Sequence, residues 1–136
     1  MSEGRTLSPS SVVQSFQEAI GRGDWDQASS SLDRDVVFHE APSLPFGGDH
    51  HGVEGYKALA ERFSELAEFE FSPEMNLMTT TDGVVIVRGE FSVTGRATGR
   101  TASTPFAEFY KLSGDRIVDV EVFYWDEAAV ISALVD

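Results

Sequence analysis

The chain has 136 residues, 41% of them hydrophobic, which is enough for one globular core. Its 23 acids against 10 Lys plus Arg give a formal charge of −13, so phosphate backbones and anionic lipid surfaces are repelled and neither nucleic acid nor membrane is an expected partner. No cysteine is present, which excludes disulfides, thiol nucleophiles and Cys-based zinc sites; with no apolar signal core and no membrane-length apolar run, the expected location is cytoplasmic.

Residues 1–7 are expected to form a flexible arm and residues 8–136 a single domain. Ser8 and Pro9 mark a helix start as N-cap and first helical residue. Val12, Val13, Phe16, Ala19 and Ile20 recur at helical spacing until Gly21-Arg22-Gly23. Asp24 and Gln27 resemble a capping box, which predicts a second helix running to about Leu32. A short strand follows, and alternation puts Val36, Phe38 and Glu40 on one face before Pro42 stops it. Glu40 is therefore either a rim acid in water or a carboxylate facing a dry cavity. In the second case desolvation makes it a base or acid near neutral pH.

Residues 43–52 read as an irregular loop folded over apolar surface through Leu44 and Phe46. A third helix carries Val53, Tyr56, Leu59, Ala60, Phe63, Leu66 and Ala67 along one stripe. The period then changes to two. Four antiparallel strands are predicted: one from Phe69 to Leu77, one through Val85, Val87, Phe91 and Val93, one over Thr101–Leu112 and one over Arg116–Trp125. Asp126 caps a closing helix. Helices segregated from a meander of strands make an α+β fold, with the helices packed into the concave face of a curved, mixed, mainly antiparallel sheet that leaves a cone-shaped cavity.

Glu108 stands between Phe106 and Tyr110 on one strand face. It is either a shielded acid or the partner of Arg96, Arg100 or Arg116. Val118, Val120, Val122 and Tyr124 share a face of the last strand, with Asp119, Glu121, Phe123 and Trp125 opposite. Glu121 enters a site only if that register is inverted. Phe109, Phe123 and Trp125 form an outer face apolar enough to predict a homodimer. His39 points away from Glu40, so a metal held by His39, His50, His51, Asp49 and Glu40 is not expected; a loop histidine touching substrate is.

The element order, together with Gly23-Asp24-Trp25, Asp35 to Glu40, Leu44-Pro45-Phe46-Gly47-Gly48 and Gly114 to Val118 leading into Tyr124-Trp125-Asp126, resembles the SnoaL-like and ketosteroid-isomerase-like branch of the nuclear transport factor two-like superfamily. The resemblance spans roughly Ser8 to Leu134. It implies a proton-moving carboxylate at Glu40 and a neutral carboxylic acid at Glu108, kept protonated by an apolar site. Where that branch places a tyrosine on the first helix, this chain has Phe16, which lacks the hydroxyl. The pocket implied is lined by Phe16, Trp25, Phe38, Tyr56, Phe63, Phe106, Tyr110, Val120 and Tyr124. The implied ligand is a small apolar ketone, polyketide-like or steroid-like, with no cofactor. A non-catalytic ligand-binding module is the alternative. Arg88-Gly89-Glu90 is similar to the Arg-x-Asp pair of epoxide-hydrolase-like relatives, but the alternation reads it as an exposed ion pair.

Overall fold

A computed structural model describes residues 8–136; the expected arm at 1–7 lies outside them. The first helix, α1 (Pro9–Arg22), begins where Ser8 Oγ accepts the Ser11 amide and ends on Gly23, whose φ of 71° closes the last turn. The second helix, α2 (Trp25–Ser29), is capped by the Asp24 carboxylate. It stops short of the predicted Leu32, because Leu32 already opens a nine-residue strand, β1 (Leu32–Glu40). The predicted loop contains a strand, β2 (Gly48–His51), paired antiparallel with β1. Short polar residues hide such an edge strand from a reading based on hydrophobic period.

A third helix, α3 (Gly52–Leu66), passes directly into β3 (Ala67–Phe71). The predicted strand over Phe69–Leu77 is broken around Pro73, and its second half is β4 (Asn76–Thr79). Both halves pair with β5 (Val85–Gly95), β3 along Phe91–Gly95 and β4 along Val85–Arg88. Then come β6 (Thr101–Ser113), β7 (Arg116–Tyr124) and the closing helix α4 (Glu127–Leu134), capped by Asp126. Trp125 therefore lies just beyond the last strand.

The sheet order is β2-β1-β7-β6-β5-β3, with β1 and β7 parallel and the other pairs antiparallel. The pairing with β7 is irregular on both sides, between Leu32 and Val37 of β1 and opposite Lys111 and Leu112 of β6, where Val118 of β7 is the extra residue, and such irregularities bend a sheet. Val36, Phe38, Val85, Val87, Phe91, Val93, Phe106, Tyr110, Val120 and Val122 are buried together with Val13, Phe16 and Tyr56 of the helices. This is the helix-lined curved sheet that the alternation implied. On the outer face Phe109 and Phe123 meet edge to face at 5.6 Å, and Phe123 and Trp125 are 52% and 86% exposed. Among the described residues no helix is long and apolar enough to cross a membrane.

Candidate active site

The strand alternation that buries Phe38 also carries Glu40 inward, and the same rule on β6 turns Phe106, Glu108 and Tyr110 to that side. Both carboxylates line one cavity of about 670 Å³. Its walls come from α1 (Phe16, Gln17, Ile20), α3 (Tyr56, Leu59, Phe63) and the strands (Phe38, Tyr110, Val122, Tyr124). Trp25, Phe69, Phe71 and Met75 also line it, and Trp25, Phe69 and Phe71 retain substantial solvent exposure. Arg22 is the one cation among the lining residues.

Each acid has one oxygen engaged. Tyr124 donates its hydroxyl proton to Glu40 Oε1 at 3.1 Å. At Glu108, Oε1 accepts from Gln17 Nε2 at 2.9 Å and from the Tyr110 hydroxyl at 2.9 Å, and Gln17 Nε2 also donates to Tyr110 Oη at 2.7 Å. The Oε2 atoms of both acids have no protein partner among the described residues. The proton of a neutral Glu108 therefore belongs on Oε2, where it can be donated to whatever occupies the cavity.

Burial pushes the Glu40 carboxyl up from its ordinary 4.5 to about 8, helped by the nearby Glu108 charge and opposed by the Tyr124 hydrogen bond. Burial likewise raises Glu108, against the pull of the hydrogen bonds from Tyr110 and Gln17. Two carboxyls in one dry cavity do not both ionise easily, so their protons leave in two separated steps. Tyr110 and Tyr124 are held protonated by burial first and by the adjacent carboxylates second.

Two residues expected on the pocket wall lie behind it. The Phe106 ring packs against the backbone of Gly89 and the rings of Phe71 and Phe91. Val120 is fully buried between its cross-strand neighbours Phe38 and Tyr110, whose larger rings form the wall instead. Gln17 is the polar site residue that the sequence reading misses. Its signal is nevertheless present: Val13, Phe16, Gln17 and Ile20 follow the i, i+3, i+4, i+7 pattern, so one amide sits within the apolar stripe of α1. Replacing Gln17 with Leu leaves Glu108 and Tyr110 each short of a partner. We expect Gln17→Leu to lower unfolding free energy by about 1–2 kcal/mol in urea titrations.

No histidine is among the residues that line the cavity. His50 Nε2 donates to the Phe46 carbonyl oxygen at 3.0 Å. His39, facing outward, holds Asp49 and Asp119 at 2.7 Å through its two ring nitrogens. Burial lowers its pKa, but the hydrogen bonds and charges of the two aspartates outweigh that and raise it overall. Among the described residues no cluster of His, Asp and Glu is placed to hold a metal. Arg88 and Glu90 lie exposed on the opposite sheet face, and Arg96, Arg100 and Arg116 pair with Glu68, Asp136 and Asp115 rather than with Glu108.

A helix-lined curved sheet around a cavity of this kind is the NTF2-like fold, and comparison with solved structures shows it directly. An NTF2-like protein from Burkholderia xenovorans LB400 is similar with a TM-score of 0.86 at 21% identity, covering 96% of this chain and 98% of that one. A candidate polyketide cyclase from Xanthomonas campestris pv. campestris is similar at 0.77 and 20% identity, covering 93% and 96%. Another candidate polyketide cyclase, from Pseudomonas putida KT2440, is similar at 0.78 and 16% identity, covering 95% and 99%. At these identities the likeness is one of fold. The family profile of the SnoaL-like domain matches residues 13–120, so the chain belongs to the SnoaL-like family. No curated protein matches the chain by sequence.

Proposed function

We propose that this protein is a cofactor-independent acid–base enzyme, an isomerase or cyclase acting on a small, largely apolar ketone. The observation that carries the reading is the meeting of Glu40 and Glu108 in one aromatic cavity, each with Oε2 unengaged by protein. Ionised Glu40 removes a proton from the carbon next to the carbonyl. The C–H electron pair becomes the enolate double bond, and the carbonyl oxygen gains the negative charge. Neutral Glu108 donates a hydrogen bond from Oε2 to that oxygen. Isomerisation is completed when Glu40 returns the proton to a different carbon. In an aldol-type cyclisation the enolate carbon attacks a second carbonyl of the same molecule, and the proton goes to the new alkoxide. Tyr124, through its bond to Glu40 Oε1, positions the base.

The names of the two candidate polyketide cyclases favour the cyclisation form of this chemistry. The activity requires Glu40 ionised and Glu108 protonated. We therefore expect kcat/KM to rise with pH as Glu40 loses its proton, with a midpoint at or somewhat below about 8 because a neutral Glu108 no longer adds its charge. It should fall again where Glu108 ionises. The test is a panel of cyclisable polyketide-type diketones and β,γ-unsaturated ketones, assayed across pH with wild type, Glu40→Gln and Glu108→Gln. Turnover that survives both substitutions would falsify the reading.

The second reading is a binding module without chemistry. It is favoured by Phe16, which supplies no hydroxyl, and by the aromatic lining. On that reading apolar ketones raise Tm in wild type and in Glu40→Gln alike, and none is turned over.

A further inference from the structure

His39 sits on the outer face of β1, one residue before Glu40, and both of its ring nitrogens meet a carboxylate. Nδ1 lies 2.7 Å from Asp49 Oδ1 on β2, and Nε2 lies 2.7 Å from Asp119 Oδ1 on β7. An ionised carboxylate only accepts, and a neutral imidazole has one N–H and one bare lone pair. The two contacts therefore coexist as hydrogen bonds only when the ring carries both protons, and their length is that of charge-assisted bonds.

The strand on one side of this contact, β2, is an edge of the sheet. It pairs with residues 37–40 of β1 and alternates half-buried with exposed residues, so little apolar burial holds it in place. The loop that leads into it brings in Phe46, which is buried with its ring 4.7 Å from Phe63 and 6.4 Å from Tyr124, two residues of the cavity wall. His50 of β2 holds the Phe46 carbonyl oxygen. Whatever loosens β2 acts on this cover of the cavity as well.

We infer that His39, as an imidazolium, is a clamp that fastens the β2 edge and the Phe46 loop to the rest of the sheet, and that loss of one ring proton releases them. Asp49 is the partner let go. Asp119 is the less exposed acid, 26% against 57%, so the remaining proton stays on Nε2 toward it, where leaving a carboxylate unpaired costs more. The bare Nδ1 then faces the Asp49 carboxylate, lone pair against lone pair. The surrounding charges act in the same direction. Glu121 of β7 lies beside His39, Lys111 of β6 lies opposite Asp119, and His51 of β2 lies opposite Val37. On the inner face, α3 brings Tyr56 against Phe38 rather than against His39. With His39 neutral, Lys111 alone stands against Asp49, Asp119 and Glu121, and their repulsion bears on the edge strand.

Burial works against the charge on His39, and the two aspartates outweigh it, so the ring titrates above its ordinary 6.5. The clamp's contribution is complete below 6.5 and is lost as pH rises through the folded value.

The test is an NMR titration of the whole protein between about pH 5 and pH 10, with amide-exchange protection factors measured along it. The His39 ring is expected to titrate above 6.5. Through that titration, protection of the β2 amides, and of the Leu44 and Gly47 amides that bond within the loop, should fall about 3–10-fold relative to the amides of β5 and β6. Asp49→Asn is the decisive comparison. Its amide can donate to the bare Nδ1, so a neutral His39 keeps both partners and the fall should disappear. An equal fall in β5 and β6, a fall that follows His50 or His51 instead of His39, a fall that persists in Asp49→Asn, the absence of any fall in wild type, or a His39 ring titrating at or below 6.5 would each overturn the clamp. A fall confined to β2 would overturn its reach to the Phe46 loop. None of these readouts needs turnover, so the proton-transfer reading stands or fails separately.

Discussion

Glu40→Gln is expected to abolish function and strengthen the fold at the same time. A positioned general base contributes about 10²–10⁴-fold to rate, and a neutral amide cannot take a proton from carbon, so turnover should fall by that factor. Its stability effect has the opposite sign. Unfolded, Glu40 titrates near its ordinary 4.5; folded, burial moves it to about 8. At pH values below about 4 the acid is neutral in both states and costs nothing. As pH rises through 4.5 the unfolded chain releases its proton while the folded chain keeps it. The stability associated with the raised pKa is therefore lost between about 4.5 and about 8.

The glutamine amide of the variant would carry no charge at any pH and could still accept from Tyr124. Glu40→Gln should therefore match wild type near pH 4 and exceed it at pH 9 by on the order of 2–4 kcal/mol, about 10 °C in Tm. Urea unfolding at the two pH values measures this. A variant less stable than wild type at pH 9 would show that the carboxylate is not held in a desolvated place. A penalty retained in the folded protein and removable by one substitution is what a stability–function trade-off predicts for an active-site acid.

Gly95→Ala is expected to be the most damaging small substitution in the chain. A Cβ built on Gly95 would overlap the Ala133 carbonyl oxygen and stand 2.8 Å from its carbon. Those are backbone atoms of α4, so no side-chain rotation relieves the clash. The contact exists because the β5–β6 hairpin grips the end of α4. Thr98 Oγ1 donates to the Ala133 carbonyl, and Arg100 donates to the carbonyls of Ser132 and Val135. These bonds satisfy carbonyls that the last turn of α4 leaves open. Pushing α4 outward would uncover Val130, Ala133 and Leu134, all now buried. We expect a loss of about 3–4 kcal/mol in urea unfolding. The control is Gly21→Ala: nothing lies within 4 Å of its Cβ and the residue is helical, so stability should hold or rise by about 0.5–1 kcal/mol.

Those two glycines show where sequence reasoning reaches its limit. Gly21 near a helix end can be understood from its neighbours alone. Gly95 reads as a hairpin residue, and only the packing of α4, far later in the chain, makes it irreplaceable. The same division runs through the site. The periods of two on β1 and β6 put Glu40 on the face of Phe38 and Glu108 on the face of Phe106 and Tyr110, and leave open what those faces meet. They do not say that Phe106 and Val120 are covered by larger rings, because that depends on which neighbours stack across strands.

What the sequence by itself determined is the fold and the strand faces on which Glu40 and Glu108 stand; whether those faces end in water, at an arginine or in a cavity it left open. Caps at Ser8, Asp24 and Asp126, the helical stripes and the strand alternation are local signals, and they agree with one another. What only the tertiary structure decided is which polar groups meet. β2 and the break at Pro73 lie in segments whose short polar or irregular runs leave pairing to the rest of the sheet. Gln17 reaches Glu108 across ninety-one positions, Tyr124 reaches Glu40 across eighty-four, and Tyr56 stands open to the same cavity from a third element. Desolvation and hydrogen bonding act over a few ångströms in space, whatever the separation along the chain, so the chemistry of the site is set by the closure of the sheet around it.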